Sequence, residues 1–72
     1  MATFEQAQQC GYNDTKHGLE TCDGYAKIKY IAEMVEALKS GKGLPGYNAG
    51  CRKALRHYAE ANGIELDLEG GV

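Results

Sequence analysis

The sequence predicts an all-α fold, a small three-helix domain with an extended C-terminal tail. Two long segments repeat apolar residues at the three and four spacing of one helix face. Glycines, together with the single proline, stand where these segments would begin or end. The one strictly alternating run, Ile64–Leu68, has no second strand to pair with inside the chain, so it predicts a tail and not a sheet.

The length of 72 residues predicts one domain over 1–72. We divide it into a short helix and loop (1–22), a helix-loop-helix (23–63) that organises the chain, and a tail (64–72). A single core of this size rarely supplies more than roughly 3 to 5 kcal/mol of stability. Self-association as a homodimer, or stabilisation by a partner, is therefore an open expectation.

The first helix is predicted from about Phe4 to Cys10. Thr3 and Gln6 have the spacing of a capping box, in which each side chain accepts a backbone N–H of the other residue. Gly11 is a natural stop. The segment from Gly11 to Cys22 is dense in turn-forming residues, which predicts a loop.

The second helix is predicted from Asp23, whose carboxylate would cap it, to about Lys39. Its apolar face consists of Ile28, Ile31, Ala32, Val35 and Leu38. Tyr30 and Met34 widen this stripe. The width predicts either a central helix that is contacted on more than one side, or a dimer seam through Tyr30, Met34 and Ala37.

The third helix is predicted after a glycine-rich loop in which Pro45 prevents helix continuation. Asn48 would cap the helix, and Gly63 would close it in the left-handed conformation. The inward stripe is predicted to be Cys51, Ala54, Leu55, Tyr58 and Ala59. The tail that follows would pack on the helices or pair with another copy.

Charge is distributed unevenly although the net charge is only −2. Between Ala37 and Ala59 there are five positive residues and no Asp or Glu, while both flanks are acidic. The positive residues are Lys39, Lys42, Arg52, Lys53 and Arg56. Such a surface suits an acidic protein partner or a phosphate backbone, unless it is simply a solvated face balanced by the acidic flanks.

One part of this basic segment resembles a known family. Leu38-Lys39, then Gly43-Leu44-Pro45, then a helix with Arg52, Lys53 and Leu55 is similar to the helix-extended-loop-helix DNA-binding motif called SAP. The similarity covers about residues 35–58, and the loop here has glycines and a tyrosine where that family has a polar turn. The resemblance implies a nucleic-acid-binding module.

The thiols and histidines give weaker signals. Cys10, Cys22 and Cys51 are odd in number, which indicates free thiols more than a disulfide framework. Cys10, His17 and Cys22, with Cys51 or His57, could supply zinc ligands, but no Cys-x-x-Cys pair is present. Cys51 and His57 lie on different faces of one helix, so they do not form a nucleophile–base pair and we predict no catalytic site. We also predict no cofactor and no metal.

The function predicted from these features is a small non-enzymatic regulator or inhibitor. It would mask a surface of a larger host protein, as compact proteins encoded by phages or mobile elements do. Its partner-binding residues are predicted to be Lys39, Lys42, Tyr47, Arg52, Lys53 and Arg56, since arginine and tyrosine dominate interface energetics. The chain has no signal-like start and no membrane-spanning run, which predicts a cytoplasmic location. The alternative is the nucleic-acid-binding module.

Overall fold

A computed structural model describes residues 3–66 of the chain. These residues form three helices, α1 (Phe4–Thr21), α2 (Gly24–Ser40) and α3 (Pro45–Asn62), with no strand in the described range. The predicted all-α class is therefore confirmed. The tail is extended over 64–66, and the rest of the predicted tail lies outside the described residues.

Helix α1 begins as predicted but is more than twice as long as expected. The capping box is present: the Gln6 N–H donates to Thr3 Oγ1 at 3.1 Å, and the Thr3 N–H donates to Gln6 Oε1 at 3.0 Å. The helix then continues through Gly11 to Thr21, so the predicted end near Cys10 and the predicted loop up to Cys22 are wrong.

Helix α1 continues through Gly11 because a glycine is needed there for close packing against α3. A Cβ at Gly11 would overlap the backbone carbonyl of Tyr47 in α3. A Cβ at Gly50 in α3 would lie 2.6 Å from the backbone nitrogen of Tyr12 and 2.8 Å from the carbonyl carbon of Gln8. The backbones of α1 and α3 thus meet at two points where only glycine fits, as in other close helix pairs.

The pair α1 and α3 is consequently the main unit of the fold, and α2 contacts each of them over a much smaller area. The expectation that α2 is the central helix is wrong. The buried apolar cluster lies where the three helices meet and consists of Leu19, Leu38, Cys51 and Leu55. Leu55 is fully buried. Thr15 is the one buried polar side chain among residues 3–66.

Helix α2 has the predicted extent and turns most of the predicted stripe inward. Leu38 is buried in the core, and Tyr30, Ile31, Met34 and Val35 pack against it. Ile28 is 66% exposed and Ala32 is exposed, so these two are wrongly predicted core residues. The Asp23 side chain makes no capping hydrogen bond, contrary to prediction. The helix ends as expected, with Gly41 in the left-handed conformation at φ 72°.

Helix α3 begins earlier than predicted, with Pro45 in its first turn and Leu44 at the N-cap. Proline suits this position because its missing N–H would have no helical partner there. Asn48 is therefore inside the helix and does not cap it. Its amide instead donates to the Lys42 carbonyl at 2.8 Å, which fastens the preceding loop. Gly63 closes the helix in the left-handed conformation, as predicted.

Candidate partner-binding surface

An open groove of about 510 Å³ runs along the outer face of α3, beside α1. We call it the basic groove. Arg52, Lys53 and Arg56 occur on one side of α3 because Arg56 is four residues after Arg52 and three after Lys53, the spacings that bring helical side chains together. The opposite side of α3 carries Gly50, Cys51 and Ala54, all buried. The groove is lined by Gln8, Ala49, Arg52, Lys53, Arg56, His57 and Glu60.

Arg52 has a second, structural role at this site. It is half-buried, and its Nη2 donates to the Leu38 carbonyl oxygen at 3.2 Å. Leu38 is in the last turn of α2, and its carbonyl also accepts the Gly41 N–H at 3.2 Å, so Arg52 adds a second donor from α3 to the capped end of α2. The guanidinium has five N–H donors, and this bond uses one of them. Arg52 therefore fixes the position of α2 while lining the groove.

Tyr47 lies in the packing between α1 and α3 and does not line the basic groove. Its hydroxyl donates to Asp14 Oδ2 at 2.9 Å. This hydrogen bond, burial and the negative charge of Asp14 raise the pKa of Tyr47 to about 12. The geometry assigns Tyr47 a role in holding α3 on α1.

Lys39 and Lys42 lie apart from the basic groove. Lys39 lines a different groove, on the outer face of α2 next to Leu66. Lys42 is exposed in the loop between α2 and α3. The structure thus brings three of the six predicted residues, Arg52, Lys53 and Arg56, into one groove and distributes the others elsewhere.

A cluster around Tyr12 was missed by the sequence reasoning. Tyr12 Oη and His57 Nδ1 are 2.9 Å apart, and the two rings meet edge to face with centroids 5.5 Å apart. Lys53 Nζ lies 5.9 Å from the centre of the Tyr12 ring, within the range of a cation–π contact. Tyr12 and His57 are 45 residues apart in sequence, so no local pattern could have linked them.

The thiols and histidines do not converge. Within residues 3–66, no three His, Cys, Asp or Glu side chains come close enough together to hold a metal ion. Cys51 is buried, with its Sγ 3.7 Å from the Gly11 carbonyl oxygen, whereas Cys10 is exposed. The candidate ligands Cys10, His17 and Cys22 are therefore not assembled into a site.

A second pocket lies where Tyr12, Leu19 and Tyr58 meet. Lys27 also lines this pocket, with its Nζ 5.4 Å from the centre of the Tyr58 ring. The volume of the pocket is about 260 Å³. This is below the roughly 300–1,000 Å³ typical of small-molecule sites. Among the described residues, no helix is both long enough and apolar enough to cross a membrane.

Comparisons of the chain with known protein families, with curated proteins and with solved structures found no match. The resemblance to the SAP motif therefore gains no support from them, and the candidate surface has to be judged on its own geometry.

Proposed function

We propose that this protein is a small, non-catalytic regulator that binds an acidic surface of a larger protein and masks it. One observation carries the proposal: the basic groove presents Arg52, Lys53 and Arg56 together, and Glu60 is the one carboxylate among its lining residues within 3–66. A concave, positively charged face complements a negatively charged helix or loop and steers its association.

The other groups of the groove favour a protein partner over nucleic acid. Gln8 contributes an amide that can both donate and accept hydrogen bonds, which suits a peptide backbone or polar side chain. Affinity for a phosphate backbone comes mainly from cations, and the described lining of the groove supplies three of them, Arg52, Lys53 and Arg56. The net charge of −2 adds general repulsion of a phosphate backbone.

Tyr12 and His57 support the same interpretation. The aromatic pair lies beside Lys53, so an incoming chain would meet a rigid ring surface next to a positive charge. Aromatic residues and arginine contribute most of the binding energy in protein interfaces. We therefore add Tyr12 and His57 to the proposed binding surface.

The test is affinity purification of the tagged chain from lysate, with and without nuclease, followed by binding measurements on the purified partner. The test variant is Lys53→Glu combined with Arg56→Glu. The control is Lys42→Glu, a charge reversal at an exposed loop position that lines neither the groove nor the pocket of Tyr12 and His57. We expect the test variant to weaken partner binding by about tenfold or more, and the control to change it little.

Two results would overturn the proposal. One is a partner whose affinity is unchanged in the Lys53→Glu, Arg56→Glu variant. The other is co-purification of nucleic acid alone, with affinity that falls log-linearly and steeply as salt increases. That second result would support the alternative, a nucleic-acid-binding helix-loop-helix module.

A further inference from the structure

Helix α2 carries an apolar strip on its outer side, away from α1 and α3. Tyr25 is 80% exposed and Ile28 is 66% exposed, and the strip continues through the exposed Ala32 to Val35, which is half-buried because it also packs against the core. These four positions are spaced three, four and three residues apart, so they lie in one row along the helix. Large apolar side chains gathered on one exposed helix face are typical of an interaction site.

Charged side chains run beside this strip in an order that identifies the occupant. Lys29 lies towards the N-terminus, and Glu33 and Glu36 lie towards the C-terminus, all three exposed. In a parallel pairing about a two-fold axis, the two copies of this charged row would lie on opposite sides of the contact and would not meet. In an antiparallel pairing centred near Ala32, Lys29 of each copy lies opposite Glu33 and Glu36 of the other.

We infer that the outer face of α2 is covered by a second copy of this chain, with the two α2 helices antiparallel across a two-fold axis near Ala32. The axis makes every contact occur twice, as in other isologous dimers. Ile28 of each copy lies beside Val35 of the other, and the small side chain of Ala32 lets the helices approach closely. The seam differs from one through Tyr30 and Met34, which both pack against the monomer core, whereas of Ile28, Ala32 and Val35 only Val35 does so.

This inference is independent of the basic groove. None of the residues that line the basic groove lies on α2, so a dimer through α2 leaves both copies of that groove uncovered by this contact. Dimerisation would present two basic grooves in one particle, which raises the apparent affinity for a partner with repeated acidic surfaces.

The test is the oligomeric state of the purified full chain, measured by sedimentation velocity and by light scattering after size exclusion. We expect the wild-type chain to reach twice the monomer mass of 7.8 kDa as concentration rises. The Ile28→Lys variant should weaken the dimer by about tenfold or more, because it places a charge in the apolar seam. The matched control is Leu44→Lys, at a residue that is 68% exposed in the loop before α3.

The register is tested by charge reversal. Lys29→Glu alone and Glu36→Lys alone should each weaken the dimer, and the double variant Lys29→Glu, Glu36→Lys should restore it towards the wild-type affinity. Circular dichroism should show the same helical content in all variants, since these side chains are exposed.

Three outcomes would overturn the inference. A wild-type chain that stays monomeric up to about 1 mM has no specific self-association of useful strength. A dimer that is unaffected by Ile28→Lys uses another face. A dimer weakened by both single reversals and not restored by the double variant lacks the antiparallel register.

Discussion

Replacing Gly50 by alanine tests the packing of α1 against α3 most directly. The added methyl group would overlap the Gln8 carbonyl oxygen and would lie 2.6 Å from the Tyr12 backbone nitrogen. Both are backbone groups of α1, so no side-chain rotation can relieve the contact and the helices must separate. Alanine is in itself the better helix former, by about 1 kcal/mol relative to glycine.

The expected magnitude follows from these two opposing effects. Overpacking a close-fitted interior typically costs about 1 to 3 kcal/mol, and a clash against fixed backbone belongs at or above the upper end of that range. After subtracting the gain in helix propensity, we expect Gly50→Ala to lower the free energy of unfolding by about 2 kcal/mol. This is a large part of the roughly 3 to 5 kcal/mol that a core of this size supplies.

The assay is urea-induced unfolding followed by the helical circular dichroism signal, with Gly46→Ala as the matched control. A Cβ at Gly46 would be 3.0 Å from both the Ala7 Cβ and the Phe4 carbonyl oxygen, at the start of α1 where the first turn can shift. We expect Gly46→Ala to stay within about 1 kcal/mol of wild type. The packing argument is refuted if Gly50→Ala unfolds at the same or a higher urea concentration than wild type.

Three further predictions concern the core and the hydrogen bonds that join the helices. Leu55→Ala removes the most deeply buried side chain, so it should cost about 2 to 5 kcal/mol in denaturant unfolding, and a smaller loss would indicate an under-packed core. The pKa of Tyr47 is raised to about 12, so the hydrogen bond from its hydroxyl to Asp14 stabilises the fold fully below pH 10. As pH rises from about 10 to 12, this contribution to the free energy of unfolding should be lost, by about 1 to 2 kcal/mol. Unfolding of wild type and Tyr47→Phe compared across this range should show the extra loss in wild type alone, and parallel pH profiles would contradict the assignment to Asp14. Arg52→Met removes the bond to the Leu38 carbonyl and should lower thermal stability by about 1 kcal/mol; Lys53→Met, which removes a neighbouring charge, is the control and should leave it nearly unchanged.

The helix count was predictable from the sequence because apolar periodicity and the ends of α2 and α3 are local signals. The Thr3 and Gln6 capping box and the left-handed Gly41 and Gly63 depend on a few neighbouring residues. The length of α1 was not predictable, because Gly11 has the appearance of a stop. Its actual use, close contact with the Tyr47 backbone, depends on residues far along the chain.

The candidate site was predicted only in part for the same reason. Arg52, Lys53 and Arg56 share a face by helical spacing alone, so their grouping followed from the sequence. The sequence did not show which predicted residues make hydrogen bonds within the fold. The Tyr47 bond to Asp14 and the Arg52 bond to Leu38 each join two separate helices. The exposure of Ile28 could not be predicted either, because an apolar stripe on a helix does not show which of its residues the other helices of a small domain will bury.

The close contact between α1 and α3 has a consequence for how the chain folds. The residues that touch there are far apart in sequence, as shown by Cys51 and Gly11, which are 40 residues apart. The whole of α2 therefore lies inside a loop that must close before the tightest packing forms, and closing such a loop costs entropy early. We expect docking of α3 onto α1 to limit the folding rate, with α2 settling afterwards. Changes at Gly50 should then slow folding, whereas changes on the inner face of α2 should mainly speed unfolding.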